Sequence, residues 1–262
     1  SSTVNVTNST ISNNTVGAGS SGRSGGGIYS QDGTLNLTGS TLEGNTVNGN
    51  GGGIYVKSDT MTVTDCTFTA NTATKYGGGI YLEEGDLTID TSTIESNSAS
   101  DSGGGANCVT GLLSVTDSDF SANSGGGLRS GATATVTNSS FLDNDGSGLS
   151  NSGTMTVTGS DISRNLIKNH TDSYADGGGI RNFGTLTVED STISGNTAYG
   201  TYYGARGGGI FSFAYGHTVT IVNSTISDNA ATGTGYGGGV FLYGTMNVMN
   251  STISGNSVEG GG

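Results

Sequence analysis

The chain has 262 residues, 50 of them Gly and none Pro or Trp, and 31% are hydrophobic. Its net charge of −13 comes from 21 acidic and 8 basic residues, which argues against nucleic acid or an anionic membrane surface as partner, since both call for clustered Lys and Arg. No apolar run approaches the roughly 20 residues of a membrane helix, so membrane insertion is not expected either.

Gly at this level with low hydrophobicity ordinarily marks disorder. Here the Gly residues recur at fixed places, as in a repeat architecture. A solenoid needs little apolar surface, because each coil buries a thin stripe against its neighbours. Residues 1–262 therefore predict one elongated domain, all-β, a right-handed parallel β-helix of about ten coils. The chain opens inside the repeat at SSTVNVTNST and closes at GGG, so a segment of a longer exported protein is expected.

In chain order, the first coil shows the alternation Thr3-Val4-Asn5-Val6-Thr7, then Ile11 with Asn14 three places on. The second opens with Gly25-Gly26-Gly27-Ile28-Tyr29, alternates from Thr34, and carries Leu42 and Asn45. The third is the clearest: Gly51-Gly52-Gly53-Ile54-Tyr55-Val56, then Thr60-Met61-Thr62-Val63-Thr64, then Cys66-Thr67-Phe68 with Asn71. The anchor recurs as Ile94 with Asn97, Phe120 with Asn123, Phe141 with Asn144, Ile162 with Asn165, Ile193 with Asn196, Ile226 with Asn229 and Ile253 with Asn256, at spacings from 21 to 33 residues. A β-coil absorbs such changes as loops at one corner. Three short parallel sheets follow from the period-two alternation, with Ile54, Met61, Val63 and Phe68 inward and Tyr55, Thr60, Thr62 and Thr64 outward.

Two columns hold the stack. The Asn column is unbroken over ten coils. Its amides can bond along the axis at the ~4.8 Å strand spacing, and Asn tolerates the left-handed backbone of a tight corner. Two residues before each anchor stands a small residue, Ser in nine coils and Cys66 in one. Cys66 and Cys108 fall in different columns, so buried free thiols are expected rather than a disulfide.

The GGG-[IVL] and [IFL]-x-x-N pattern resembles the GGA[ILV] and FxxN repeats of chlamydial polymorphic membrane proteins, with Gly here where those have Ala. It is also similar to bacterial cell-surface β-helix repeats; Gly184-Thr185-Leu186-Thr187-Val188 through Ser191-Thr192-Ile193-Ser194-Gly195-Asn196 carries that likeness. The resemblance spans essentially the whole chain and implies an exported, displayed β-helix, often a passenger or adhesin. It implies no activity, since this fold hosts many.

The second strand presents three outward columns holding 20 Thr in 30 positions. They include Thr34, Thr60, Thr62, Thr64, Thr133, Thr135, Thr137, Thr154, Thr156, Thr158, Thr185 and Thr187. This grid is similar to the Thr-x-Thr arrays of ice-binding β-helices. Thr is also a strong strand former on an exposed pleat, which accounts for the columns without any ligand. Asp86, Asp90, Leu112 and Glu189 interrupt it.

After each GGG-Ile comes an outward column of Tyr29, Tyr55, Tyr81, Asn107, Arg129, Ser150, Arg181, Phe211 and Phe241. Three stacked Tyr can bind sugar rings or simply stack on one another. The corner between Asn and GGG is long at Thr15–Ser24, short after Asn123 and Asn144, and long again at Leu166–Asp176 and Thr197–Arg206. That pattern predicts a saddle between raised flanks, the place to look for recognition. Arg129, Asp161, Tyr174, Tyr202 and Tyr203 are the candidates for carbohydrate there, with His170, Tyr199, Arg206 and Tyr236 on the same flank. Asp119 and Asp161, two coils apart, are the nearest approach to a catalytic carboxylate pair; solvated surface charge explains them as well. Two His and no GGxGxD repeat make a metal site or triad improbable, and no cofactor is implied.

The expectation is a secreted or cell-surface, non-catalytic β-helix: an adhesin, stalk or filament-forming segment. Its partner would be a host or neighbouring-cell surface. Ice binding through the Thr face is the specific alternative, and polysaccharide binding or cleavage a third. Uncapped solenoid ends expose strand edges, which allows end-to-end self-association.

Overall fold

The computed structural model describes residues 2–17, 23–168 and 174–259, with only the backbone at 23, 202, 214 and 215. His170, and part of the corner after Thr15, lie outside the described residues. All strand pairings among the described residues are parallel and join equivalent residues of successive coils, such as Ile54 with Ile80, Met61 with Leu87 and Phe68 with Ile94. The chain is a right-handed parallel β-helix.

A coil has four arms rather than the expected three. In the third coil they are Ile54–Ser58, Thr60–Thr64, Thr67–Thr69 and Thr72–Ala73. The first two arms hydrogen-bond within one continuous ladder system, and the third forms a ten-stranded sheet of its own. The fourth arm is two residues long in the early coils, pairing Thr15 with Thr46, Thr46 with Thr72 and Thr72 with Ser98. Single bridges carry it on from Ser98 through Ser124 and Asp145 to Leu166. In the downstream coils the corner expected to be a loop is strand instead: Thr197–Arg206 pairs with Ala230–Tyr236 through a register shift between Gly200 and Ala205. First and second arms also fuse there, as Ile210–Val222 and Val240–Met249.

The alternation places its apolar residues in the lumen as expected. Met61, Val63, Phe68, Ile54 and their equivalents are fully buried, and Phe120 stacks on Phe141 with centroids 4.8 Å apart. The lumen is not wholly apolar. The column of Val56, Leu82 and Cys108 continues as Ser130, Asn151, Asn182 and Ser212, all with no exposed surface. Asn151 donates to Asn182 Oδ1 at 2.7 Å and Asn182 to Ser212 Oγ at 2.9 Å, so these polar groups are satisfied along the axis. Cys66 and Cys108 are buried free thiols, and burial pushes the Cys108 thiol up to about 12.

The Asn column saturates its hydrogen-bonding capacity. Each accepting Oδ1 takes the backbone N–H and the Nδ2–H of the preceding Asn; for Asn123 these bonds from Asn97 are 3.0 and 3.2 Å. Each interior Nδ2 donates to the next Asn and back to an anchor carbonyl, for Asn123 to Asn144 Oδ1 at 3.0 Å and Ile94 O at 2.9 Å. The same pattern holds at Asn165, which donates to Asn196 Oδ1 at 2.9 Å and Phe141 O at 2.8 Å. It holds again at Asn229, which donates to Asn256 Oδ1 and Ile193 O, both at 2.9 Å. Asn256 donates in turn to Ile226 O at 2.9 Å. The ladder crosses coil lengths of 31, 26, 21, 33 and 27 residues without a break. Its enclosure is not uniform, however. Asn45, Asn71, Asn97, Asn123, Asn144, Asn165, Asn196 and Asn229 are buried, whereas Asn14 is exposed and Asn256 half-buried. These two stand in the outermost coils, where a neighbour covers them from one side only.

Ser residues serve differently: each hydroxyl accepts the N–H of the preceding small residue and donates to a carbonyl two residues back, as in Ser118. Cys66 Sγ stands in this chain, accepting from Ser40 N at 3.4 Å.

The left-handed corner does not fall on the ladder Asn, contrary to expectation. It falls one residue earlier, at Asn13, Gly44, Ala70, Ser96, Ala122, Asp143, Arg164, Gly195, Asp228 and Gly255. At Asn165, Asn229 and Asn256, for example, the positive φ belongs to the preceding Arg164 (56°), Asp228 (57°) and Gly255 (65°). A second left-handed column precedes each Ser, at Asn8, Gly39, Asp65, Thr91, Asp117, Asn138, Gly159, Asp190, Asn223 and Asn250. Each of these residues turns the chain so that the next side chain points into the lumen. The ladder Asn itself is then free to keep an ordinary backbone. The Gly triplets answer to close approach: a Cβ on Gly52 would stand 2.3 Å from Gly78 O, and one on Gly53 2.6 Å from Gly79 O. Gly rather than Ala in the third place follows from that contact.

Asn123→Ala would strand the Asn97 N–H groups and the Ile94 carbonyl in the lumen. It should cost about 3 kcal/mol or more, read as a fall in the denaturation midpoint. A loss under about 1 kcal/mol would show that the ladder is ornamental.

Candidate ligand groove and threonine face

Coils joined by 21-residue steps are the shortest in the stack. In them the fourth arm runs directly into the Gly triplet, through Ser124-Gly125-Gly126 and Asp145-Gly146-Ser147. The neighbouring coils stand higher, with Ser98–Gly103 upstream and Ile167 and Lys168 downstream. The result is the expected saddle, a groove of about 420 Å³ whose floor is largely Gly and Ser. Its charged lining is Arg129, Lys168 and Arg181 against Asp101 and Asp145. Three of the eight cations in a strongly acidic chain thus meet in one depression.

Arg129 and Arg181 rise from the same outward column of the first arm, with Ser150 paired to both. Two parallel strand spacings separate them by ~10 Å. The small Ser150 leaves the space between them open. Arg164 and Arg206, by contrast, are each forked onto a carboxylate: Asp143 at 2.9 Å and Asp176 at 2.8 Å. Neither groove arginine has an ion-pair partner among the described residues. Arg181 Nε is buried and makes no hydrogen bond. Burial holds the Arg181 pKa below its ordinary value; Asp176 opposes this, and repulsion from Arg129 and Arg206 adds to it. Arginine stays charged regardless, so the groove contains a desolvated cation. Ring faces hold both guanidinium groups: Arg129 lies 5.6 Å from the Tyr76 centroid and Arg181 4.7 Å from that of Phe183. Asn107, next to Arg129 in the column, is 1% exposed with neither amide atom bonded.

The other expected carbohydrate residues are elsewhere. Asp161 lies on the third arm, exposed, in register with Ser140 and Asp119. The expected two-coil pairing of Asp119 and Asp161 is present, but on a different face of the prism from Arg129. Third-arm and first-arm side chains project from different walls, so sequence proximity to the short coils did not bring Asp161 to the saddle. Tyr174 and Tyr203 meet each other, ring centroids 6.0 Å apart. Arg206 lies 3.8 Å over Tyr174 and 4.7 Å over Phe211. These contacts lock the Asp176–Arg206 pair of the downstream flank and do not line the groove. The side chain of Tyr202 lies outside the described residues. Arg181 and Lys168 were not singled out from the sequence. Two Arg flanking a Ser in one outward column, beside the two shortest coils, was the available signal.

The Tyr column is built for stacking. Tyr29, Tyr55 and Tyr81 lie 5.3 and 5.2 Å apart with planes within 15°. Tyr55 is only 7% exposed and its hydroxyl bonds Glu83, so no sugar ring can lie on it. Tyr29, at the outer end of the stack, is 50% exposed, and the column is lined by polar side chains in the groove, where Arg129, Ser150 and Arg181 replace the rings.

The threonine face keeps its expected register. Thr34 pairs with Thr60 and Thr38 with Thr64; Thr133, Thr135 and Thr137 align with Thr154, Thr156 and Thr158, and Thr154 and Thr156 with Thr185 and Thr187. The middle column runs from Asn5 through Thr62, Thr88, Ser114, Thr135, Thr156, Thr187 and Thr220 to Asn247 without a charge. The outer columns are broken by Leu112, 59% exposed, and by Asp90 and Glu189. Complete Thr-x-Thr-x-Thr strands are adjacent only at Thr133–Thr137 and Thr154–Thr158. Among the described residues no group of three His, Cys, Asp or Glu is placed to hold a metal ion.

The family description "Right handed beta helix region" matches residues 1–112, 52–210 and 110–262, and the chain belongs to that family. No curated protein and no solved structure matches it.

Arg181→Met removes a buried cation that lacks a partner. It should stabilise the unliganded protein by about 1 kcal/mol, read as a raised thermal midpoint. A lowered midpoint would mean that the guanidinium serves the fold.

Proposed function

We propose that the chain is a non-catalytic β-helix scaffold displayed outside the cell, an adhesin or stalk whose recognition site is the saddle groove. The observation that carries this reading is the pair of arginines without a carboxylate partner at the place where the column of stacked rings opens. Fold economy does not call for them, since the rings on either side of them in that column stack on one another. The likeness of the repeat to cell-surface β-helices and chlamydial polymorphic membrane proteins supports export and display, with a host or neighbouring-cell surface as partner. Asp161 and Asp119, the carboxylate pair that the sequence offered for cleavage, stand on another wall from the groove cations, which supports binding through that pair's absence from the site.

The test is adhesion of the purified chain to cells and to an immobilised glycan panel. Ser150→Trp fills the groove from an outward position and leaves the lumen untouched. It should abolish adhesion, while Arg164→Gln, on another wall, should leave it unchanged. Equal adhesion by Ser150→Trp and the parent would remove the groove from the account.

A second reading, ice binding, draws on the charge-free middle column and the two adjacent complete Thr strands. Hydroxyls there repeat at ~4.8 Å across strands and ~6.7 Å along them. It predicts ice-crystal shaping that Thr135→Tyr or Thr156→Tyr eliminates. Crystals that grow unshaped in the parent protein would dispose of it.

A further inference from the structure

We propose that the saddle groove receives a β-hairpin of a partner protein, whose two strands take the places of the two corner strands that the short coils lack. This rests on the reading of the groove as the recognition site and adds the kind of partner it takes.

The argument starts from the fourth arm. Upstream of the saddle this arm forms a four-stranded parallel sheet whose edge is Ser98–Ala99, and downstream a second sheet whose edge is Leu166–Lys168. Between the two edges stand only Ser124 and Asp145, each joined to its neighbours by a single bridge. The coils of Ser98 and Leu166 are three steps apart, or ~14 Å at the parallel strand spacing. Two strands fill that gap. Past the bridges, each edge is paired on its outer side: Ser102 bridges back to Tyr76, and Lys168 pairs forward with Tyr199. Asp101 likewise sends its N–H back to Lys75 O at 2.9 Å. Among the described residues no strand meets Ser100, Asp101, Ser102 or Lys168 from the saddle side. An unpaired edge invites an incoming strand, and here two such edges face each other. Where the coils are long enough, this wall is closed by paired strand, as Thr197–Arg206 is by Ala230–Tyr236. The hairpin continues a contact that the fold already makes with itself.

The floor and the rims select the occupant. Gly125, Gly126 and Gly146 put no side chain into the groove, which lets a second backbone lie close. The rims are oppositely charged, with Asp101 exposed on the upstream edge and Lys168 exposed on the downstream edge. Opposite charges on adjacent strands favour pairing and like charges oppose it. The hairpin that fits therefore carries a basic residue on the strand beside Asp101 and an acidic residue on the strand beside Lys168. The groove, at about 420 Å³, admits the tip of a hairpin and not a folded domain.

The probe is a phage-displayed library of disulfide-closed hairpins selected on the whole chain, with an open-chain library of the same composition beside it. Closed hairpins with Lys or Arg on one strand and Asp or Glu on the other should be enriched. Methylating one backbone N–H on the outer edge of a selected peptide should weaken its binding about tenfold or more, since strand addition uses that donor. Asp101→Lys combined with Lys168→Glu, both on exposed side chains, should select the opposite charge order. Ser150→Trp should lose the selected peptides, and Arg164→Gln should keep them. Equal enrichment from the open-chain library would overturn the assignment. So would N-methylated peptides that bind as well as their parents, or a selection that yields no clone sensitive to Ser150→Trp. The wider reading is judged separately, on cell adhesion. If Ser150→Trp abolishes adhesion, yet adhesion withstands protease treatment of the target cells and fails after periodate oxidation of their glycans, the groove remains the recognition site and the hairpin is wrong. If adhesion survives Ser150→Trp, the groove itself is wrong.

Discussion

Everything in this molecule hangs on a column of amides. A coil that buries a thin apolar stripe has little to fix it against its neighbours, and a slip of one residue would turn every side chain to the other face. The Asn ladder removes that freedom. Each interior side chain uses both of its N–H donors and accepts twice, inside a lumen without competing water. A neighbour placed out of register would leave those groups unpaired. The Ser column repeats the constraint on the adjoining wall, and the two left-handed residues per coil aim both columns inward.

Once register is fixed from inside, the outside is free. Step lengths range from 21 to 33 residues along an unbroken ladder. Most additions leave at the corner between the Asn and the Gly triplet, while the 33-residue step also adds residues between its first and second arms, at the register shift between Phe213 and Thr218. The saddle is a product of that freedom: two short coils between taller ones make a depression while the stack stays intact. The arginines in it are the opposite kind of feature. A buried guanidinium without a carboxylate is a burden that packing does not explain, and such burdens gather at sites of function.

The constant columns were legible in the sequence because each demands one residue type. Ile54, Met61, Phe68, Asn71 and Cys66 stand where their patterns placed them. The fourth arm was not legible: two residues such as Thr72-Ala73 or Asp145-Gly146 show neither alternation nor a common chemistry. The left-handed corners hid for a related reason. Asn, Gly, Asp, Ala, Ser, Thr and Arg all serve there, so the position repeats while the residue does not. Thr197–Arg206 looked like a loop because it is extra length at the variable corner, and is strand through its pairing with Ala230–Tyr236. The saddle could be read from coil lengths, and Arg129 from its column. Its chemistry could not, because the telling property of Arg181 is the lack of a partner, which exists only in three dimensions. Asp161 misled because nearness in the repeat is not nearness on one wall.

The amide column also has a direction. In every step the earlier Asn donates and the later Asn accepts, so the dipoles of the side chains align head to tail along the axis. Strand hydrogen bonding alone treats the two ends of a parallel stack nearly alike. The column does not: one end offers acceptors and the other donors. Any further coil, whether from the same polypeptide or another, can continue the stack in a single sense only, which makes the helix a polar rod that extends as a vector.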